Sequence, residues 1–258
     1  MKEFRPGAYD RLEKSLHDIR TELADLPRAV LMISAHWEAD RFWLSSAARP
    51  PMYYDYAGFP EHTYRIRYAA PGEPYLAETV RAMLEHGGMP TGLDPDRGYD
   101  HGTFSLMHVL YPEATVPLVQ LSMKKDFDPA EHIRVGELIA PLRDQGVLIV
   151  GSGFSFHDTR GILSGAGEVA SATFDQWLDE TLVDSKSPER RRRLIGWSNA
   201  PAARAAHPRE DHLIPLMVAV GAAGDDAGNR VYHEQTFMGA ITASSYRFGE
   251  APVGVPIP

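Results

Sequence analysis

The chain of 258 residues contains no cysteine, which excludes disulfide bonds, thiolate metal sites and cysteine nucleophiles. No apolar run approaches the ~20 residues of a membrane-spanning helix, and the opening residues, MKEFRPG, lack the apolar stretch of a signal peptide. Basic side chains are few: 26 Lys and Arg against 35 Asp and Glu give a formal net charge of −9. Nucleic acid and anionic membranes are therefore unfavourable partners, and we expect a cytoplasmic protein. The basic run from Arg190 to Arg193 is interpreted as a solvated helix face.

Apolar residues make up 43% of the chain, enough for one substantial core in one domain or two fused lobes. Continuous apolar runs at 29–34, 116–122 and 147–153 predict buried strands. Helical patterns precede and separate these runs. Alternating strands and helices predict an α/β fold with a mixed central sheet flanked by helices, and we expect a single compact domain over residues 1–258. A long ordered loop with a strand near Tyr64–Tyr68 is predicted for residues 50–74, and a helix for His212–Ala223.

Histidine is unusually frequent, with 11 residues, and it is the side chain best suited to bind divalent metals and to move protons near neutral pH. His36 and His157 each follow a predicted strand, and His101 precedes a predicted helix. In α/β sheets, ligands bind outside the carboxyl ends of the strands. Any one such histidine is more often a hydrogen-bonded core or surface residue, so the prediction depends on several acting together.

A fourth histidine-containing segment, AHPREDHLIPL, covers residues 206–216. His212 and the acidic pair Glu210 and Asp211 stand at the start of the predicted helix, where acidic side chains also serve as simple capping residues. His207 lies five residues before His212 and need not face the same way. The HExxH motif of zinc proteases is absent from the sequence, so a zinc-protease function has no support.

Together these segments resemble the class III extradiol ring-cleaving dioxygenases, and among them the small single-chain 4,5-DOPA dioxygenase type of the protocatechuate 4,5-dioxygenase catalytic-subunit superfamily. The resemblance covers nearly the whole chain from about residue 9, and it is specific for the family but not for a substrate. The matching stretches are ISAHWE at 33–38, YDYAGFPEHTYRIRYAAPGEP at 54–74, YDHGTFSLMHVLYPEATVPLVQLS at 99–122, VLIVGSGFSFHDTR at 147–160 and HPREDHLIPLMVAVGAAG at 207–224.

The resemblance implies a role for each of four histidines. His36 matches a metal ligand, and His212 matches another, at a position where some relatives carry glutamate. His157 matches an acid/base histidine, although the following residues, Asp158 and Thr159, differ from the family's His–Asn–Leu-like segment. His101 matches a second pocket histidine that hydrogen-bonds substrate or oxygen intermediates. Fe(II) is the implied metal, with Zn(II) as the alternative, and a small aromatic diol and O₂ are the implied substrates.

One departure concerns the beginning of the chain. Relatives start with an extra strand that ends in a His–Gly segment, whose histidine is a metal ligand, and the sequence MKEFRPGAYDRL contains no match to it. His17, inside a predicted amphipathic helix, is a poor substitute. A late-assigned start, a trimmed sequence and a lost ligand all remain open. The absent strand predicts an exposed sheet edge or apolar groove, and such a surface favours a homo-oligomer.

Two further interpretations stay open. The loop aromatics Tyr53, Tyr54, Tyr56 and Phe59 either wall the pocket or only pack against one another, and His62 is a weaker pocket candidate. The chain is also compatible with a zinc-binding member of hydrolytic or vestigial activity, or with a ligand-deficient, non-catalytic or regulatory subunit. Metal analysis and oxygen consumption with a catechol distinguish these from extradiol cleavage by an active dioxygenase.

Overall fold

The computed structural model describes residues 7–23 and 25–249. Contacts divide the chain into two compact units. We call Asp25–Gly153 with Ile214–Ala222 the sheet unit, and Met1–Ala24, Phe154–Leu213 and Ala223–Pro258 the hairpin unit. That residues 1–258 form one catalytic domain stays a prediction.

Helices and strands alternate through most of the described chain. Their bounds are α1 (Asp10–Glu22), β1 (Ala29–Ala39), β2 (Phe42–Ser45), α2 (Pro74–His86), β3 (Thr91–Asp94), α3 (His101–Leu110), β4 (Leu118–Lys124), α4 (Pro129–Ile139), β5 (Val147–Ser152), α5 (Thr159–Ser164), α6 (Glu168–Asp179), α7 (Ser187–Ile195), α8 (Ala203–Ala206), α9 (Ile214–Ala223), β6 (Gly228–Phe237) and β7 (Ile241–Phe248). None of the described helices combines the length and apolar character needed to cross a membrane.

The sheet unit contains a five-stranded sheet in the order β3-β2-β4-β1-β5. Strands β1, β4 and β5 are parallel, and β2 pairs antiparallel with β4. Residues Ala29–Ala35 of β1 and Leu118–Met123 of β4 are buried, as expected for central strands covered on both faces. The predicted α/β class with a mixed central sheet flanked by helices is therefore confirmed.

Strand β1 is longer than the sequence predicts. Its apolar run ends at Ser34, but the strand continues to Ala39 because pairing with β4 resumes at Glu38 after a register shift that begins at Ile33. His36 therefore lies within β1 instead of just beyond it. The irregular stretch alters the side-chain alternation of an ordinary strand, as bulges commonly do beside active sites.

Of two other local predictions, one is wrong and one is displaced by two residues. A short 3₁₀ helix over Glu61–Arg65 replaces the strand expected near Tyr64–Tyr68. Tyrosine hydroxyls hold this loop by donating to its carbonyls, Tyr54 to Ile66 and Tyr56 to Thr63, so no partner strand is needed. The helix expected from His212 begins two residues later, at Ile214.

The hairpin unit is built on the antiparallel pair β6 and β7, against which α6 packs. Hydrogen bonds from the backbone of β7 position two other segments of this unit. The Thr242 N–H donates to the Ser171 hydroxyl on α6, and the Ser244 N–H donates to the Ser155 hydroxyl. The second contact anchors the segment just before His157.

Candidate metal and active site

His36 and His101 lie together in the sheet unit, joined by Asp55. Oδ2 of Asp55 lies 2.9 Å from Nδ1 of His101 and 3.2 Å from Nδ1 of His36, while Oδ1 accepts the backbone N–H of His101 at 2.8 Å. The two imidazole rings are 4.0 Å apart between centroids. The Asp55 side chain is only 9% exposed, so its contacts are shielded from water. We call these three residues the sheet-unit cluster.

The backbones of the two histidines are tied by a second carboxylate, that of Asp100. Asp100 is fully buried and caps α3 by accepting the Thr103 N–H. The same oxygen accepts the Ser34 hydroxyl, and the Ser34 oxygen accepts the N–H of His36. His36 on β1 is thereby linked to the helix end that carries His101.

A buried ion pair supports this link. The Arg97 guanidinium donates to Oδ2 of Asp100 at 2.7 Å and to the carbonyl of His36 at 3.3 Å. It also lies between two aromatic rings, 4.7 Å from Trp37 and 4.6 Å from Tyr53, where cation–π attraction favours it. Several independent contacts therefore hold the His36 backbone in place.

Gly102 is required by the close approach of β1 to the start of α3. A Cβ at this position would lie 2.8 Å from Cδ2 of His36 and 2.9 Å from the Ser34 hydroxyl. Any larger residue would therefore displace the His36 ring or the α3 terminus. The glycine in the sequence Asp–His–Gly belongs to the site for steric reasons.

The aromatic loop contributes one ring directly to the sheet-unit cluster. Tyr56 meets His101 edge to face at 5.5 Å, and Phe59 packs on Tyr56 at 5.3 Å. Tyr54 packs edge to face on Tyr56 at 6.2 Å, while Tyr53 covers Arg97 instead. His62 is exposed on the 3₁₀ helix. The role of these residues as pocket walls stays a prediction.

His157 and His212 lie together in the hairpin unit, with Asp211 beside them. Their rings stack at 3.4 Å between centroids and 14° between planes. Oδ2 of Asp211 lies 2.8 Å from Nδ1 of His212. Burial alone would raise the pKa of Asp211, but the hydrogen bond and charge of His212 outweigh it and lower the pKa to about 2. We call these three residues the hairpin-unit cluster.

Three hydrogen bonds hold together the two segments that carry this second cluster. The N–H of Phe154 donates to the carbonyl of His212, and the N–H of His157 donates to the carbonyl of Ala206. Nε2 of His207 lies 3.1 Å from the carbonyl of Ser155. Segments distant in sequence are thereby fixed side by side, so the ring stacking does not depend on side-chain packing alone.

His207 is a core residue beneath this cluster. It is fully buried and packs edge to face against Phe174 and Trp197. Burial is the main reason that its pKa falls to about 4, because a charged imidazole would lose its hydration there. His207 is therefore neutral near pH 7 and structural in character.

Both clusters have the donor chemistry of a divalent metal site. Within residues 7–23 and 25–249, two groups place ligand atoms within 4.8 Å of one another, His36–Asp55–His101 and His157–Asp211–His212. Imidazole nitrogens and carboxylate oxygens suit Fe(II) and Zn(II). In addition, Oδ1 of Asp211 is buried without a hydrogen-bond partner among the described residues. The side chains present therefore fit a divalent ion.

Each of the four predicted histidines belongs to one of these clusters, but both aspartates were missed as cluster members. The sequence indicates only a capping role for Asp211, and its position directly before His212 is the signal that points to the cluster. Asp55 lies in the aromatic segment, 46 residues before His101, where no local spacing pattern connects the two. The sequence is predicted to lack the His–Gly segment at the beginning of the chain. That prediction concerns a region before Gly7, which lies outside the described residues.

Comparison with known proteins gives a consistent family. Residues 2–249 match the family model described as the catalytic LigB subunit of aromatic ring-opening dioxygenase. The 4,5-DOPA dioxygenase extradiol of Beta vulgaris is 37% identical over 225 residues, 86% of this chain and 83% of that protein. The protein of the same name from Portulaca grandiflora is 35% identical over 236 residues, 86% of this chain and 82% of that protein.

A solved structure supports the fold. The crystal structure of an uncharacterised protein from Escherichia coli K12 superposes with a TM-score of 0.73 and covers 92% of each chain. Its sequence identity to this chain is 24%, so the likeness concerns the fold alone.

Proposed function

Because the chain belongs to the LigB family of aromatic ring-opening dioxygenases, we propose that it uses O₂ and a non-haem divalent metal to open a catechol ring beside the diol. His36 and His212 are the proposed metal ligands, and His157 and His101 the proposed catalytic histidines. Fe(II) is the proposed metal, with Zn(II) as the alternative. The names of the plant relatives make DOPA (3,4-dihydroxyphenylalanine) the first catechol to test.

This proposal rests on one observation: a carboxylate oxygen lies beside Nδ1 of each proposed ligand. The distance is 3.2 Å from Asp55 to His36 and 2.8 Å from Asp211 to His212. Metal-ligating histidines almost always donate their other ring N–H to a carboxylate, carbonyl or water, which orients the ring and raises its basicity. With Nδ1 so engaged, Nε2 is the nitrogen that carries the lone pair for a metal.

The bound ion would act as a Lewis acid that lowers the pKa of a catechol hydroxyl and orients the ring. His157 accepts a proton from the substrate and later returns it, since an imidazole has a pKa near the working pH. His101 forms a hydrogen bond to a substrate oxygen and favours the charge that develops there. Tyr56, edge-on to His101, forms one wall against which an aromatic substrate packs.

Oxygen consumption tests the reaction class. The purified chain is loaded with Fe(II) or Zn(II) and supplied with DOPA in air or under anaerobic conditions. We expect oxygen uptake and loss of the catechol only in air and chiefly with Fe(II). Tight metal binding without oxygen uptake for any catechol would favour a zinc-binding member of the family. Absence of both metal binding and oxygen uptake would favour a non-catalytic subunit. A cytoplasmic location and a homo-oligomeric state remain predictions from composition and sequence.

A further inference from the structure

The sheet-unit cluster contains an acidic residue with an unusual number of histidine contacts. Oδ2 of Asp55 lies against Nδ1 of both His36 and His101, and Oδ1 accepts the backbone N–H of His101. Asp55 comes from the aromatic loop, whereas His36 is on β1 and His101 begins α3. One side chain therefore joins three separate segments of the sheet unit at the imidazole rings.

The chemistry of a carboxylate decides which ring nitrogens carry protons. An ionised carboxylate only accepts hydrogen bonds, and a neutral imidazole has one N–H and one lone pair. A lone pair on Nδ1 would face an oxygen lone pair at 2.9 Å in His101 and 3.2 Å in His36, which is repulsive. Both neutral rings therefore hold their proton on Nδ1 and their lone pair on Nε2.

We infer that Asp55 is a positioning residue that sets the tautomer and orientation of His36 and His101 together. The purpose of this arrangement rests on the proposed function. Nε2 of His36 is then the metal donor. Nε2 of His101 accepts a hydrogen bond from a substrate hydroxyl and, once it has taken that proton, donates to the oxygen on which charge develops. Asp100 holds the backbones of the same two histidines through Ser34 and the α3 cap, so the two carboxylates have separate tasks.

The contrast with Asp100 makes the inference testable. Asp100 is fully buried in an ion pair with Arg97, so its removal would damage the fold of the sheet unit. Asp55 contacts the rings and one backbone N–H, and Asp55→Asn is nearly the same size. The asparagine has one accepting oxygen, and its NH₂ donates, so it cannot accept from both Nδ1–H groups and the His101 N–H as the carboxylate does.

The test is the tautomer of each histidine in the metal-free chain, read from ¹⁵N–¹H long-range NMR correlations at about pH 8, where histidines are largely neutral. We expect Nδ1–H for His36 and His101 in the parent chain. Asp55→Ala should return both rings to the Nε2–H form that free histidine prefers. In Asp55→Asn the two rings should keep or change their tautomer together, because a single atom of residue 55 faces both Nδ1 atoms. Glu61→Ala is the matched control, because Glu61 lies in the same loop and pairs with Arg65 at the surface.

A second readout is Fe(II) affinity, which we expect to fall about 10–100-fold in Asp55→Ala, the usual effect of removing an outer partner of a ligand. Parental tautomers in both Asp55 variants would overturn the inference, whatever the activity. Altered tautomers in a chain whose parent never consumes oxygen with a catechol would leave the inference intact and remove the proposed function.

Discussion

The two His–Asp–His clusters of this molecule are built differently. In the sheet-unit cluster, one carboxylate from a distant loop contacts both histidines, and the rings are tilted by 50°. In the hairpin-unit cluster, Asp211 is the chain neighbour of His212, and the other histidine, His157, is held by ring stacking. The same three residue types thus arise once from long-range contacts and once from adjacency along the chain.

The two clusters also differ in the contacts that position their rings. In the sheet-unit cluster, Asp55 contacts both rings, which fixes the nitrogen that carries the proton on each. In the hairpin-unit cluster, Asp211 is hydrogen-bonded to Nδ1 of His212, while the ring of His157 is positioned by stacking and by its backbone N–H to Ala206.

The largest expected effect comes from His157→Ala. If His157 transfers the substrate proton, its loss should lower kcat by about 10²–10⁴-fold, the usual contribution of general acid–base catalysis. Metal content should stay near the parental value, because His212 retains its contact with Asp211. The measurements are steady-state oxygen uptake with DOPA and metal analysis of the same preparation. Full activity in this variant would remove the acid/base assignment.

A smaller effect follows from the buried histidine beneath the hairpin-unit cluster. Burial lowers the pKa of His207 from 6.5 to about 4, so the unfolded chain binds a proton that the folded chain does not. This contribution to stability is present above about pH 6.5 and is lost as the pH falls towards 4, by about 3 kcal/mol in all. Denaturant unfolding should show this loss, and His207→Gln should lose less over the same range. If the stability of His207→Gln falls with pH as much as that of the parent chain, this prediction is contradicted.

The smallest expected effect comes from Asp211→Ala, the counterpart of the Asp55 substitution. Asp211 orients a single imidazole, so Fe(II) affinity should fall by about 10-fold, at the lower end of the range for outer partners of ligands. Asp55→Ala should reach the upper end, because it frees the ring of the proposed ligand His36 and also that of His101, which lies 4.0 Å from the His36 ring. Metal titrations of both variants compare the clusters directly. A larger loss for Asp211→Ala would indicate that its carboxylate is itself a ligand.

The fold was predictable where the pattern is local. The apolar runs at 29–34 and 147–153 correctly predict the positions of β1 and β5. Only β1 is buried as predicted, because β5 lies at the edge of the sheet and is mostly half-buried. The extension of β1 past Ser34 was not predictable, since it depends on pairing with β4 across a register shift. For that reason the sequence places His36 just beyond the strand, whereas the structure places it within β1.

The four site histidines were predictable because their segments resemble a known family, but their partners were not. The contact of Asp55 with His101 spans 46 residues and leaves no periodic signal. Arg190 shows the same limit: it begins a run of four arginines interpreted as solvated, yet it is 1% exposed and donates to the carbonyls of Gly224 and Asp226. No local feature distinguishes it from its three neighbours.

The central claim is that His36 and His212 are metal ligands whose Nδ1 atoms are held by carboxylates. Equilibrium dialysis of Fe(II) against the parent chain, His36→Ala and His212→Ala tests it most directly, with the exposed His86→Ala as the control. The account predicts that each ligand variant loses affinity by more than the roughly 100-fold ceiling for an outer partner, while the control binds like the parent. Parental affinity in either ligand variant would contradict the account.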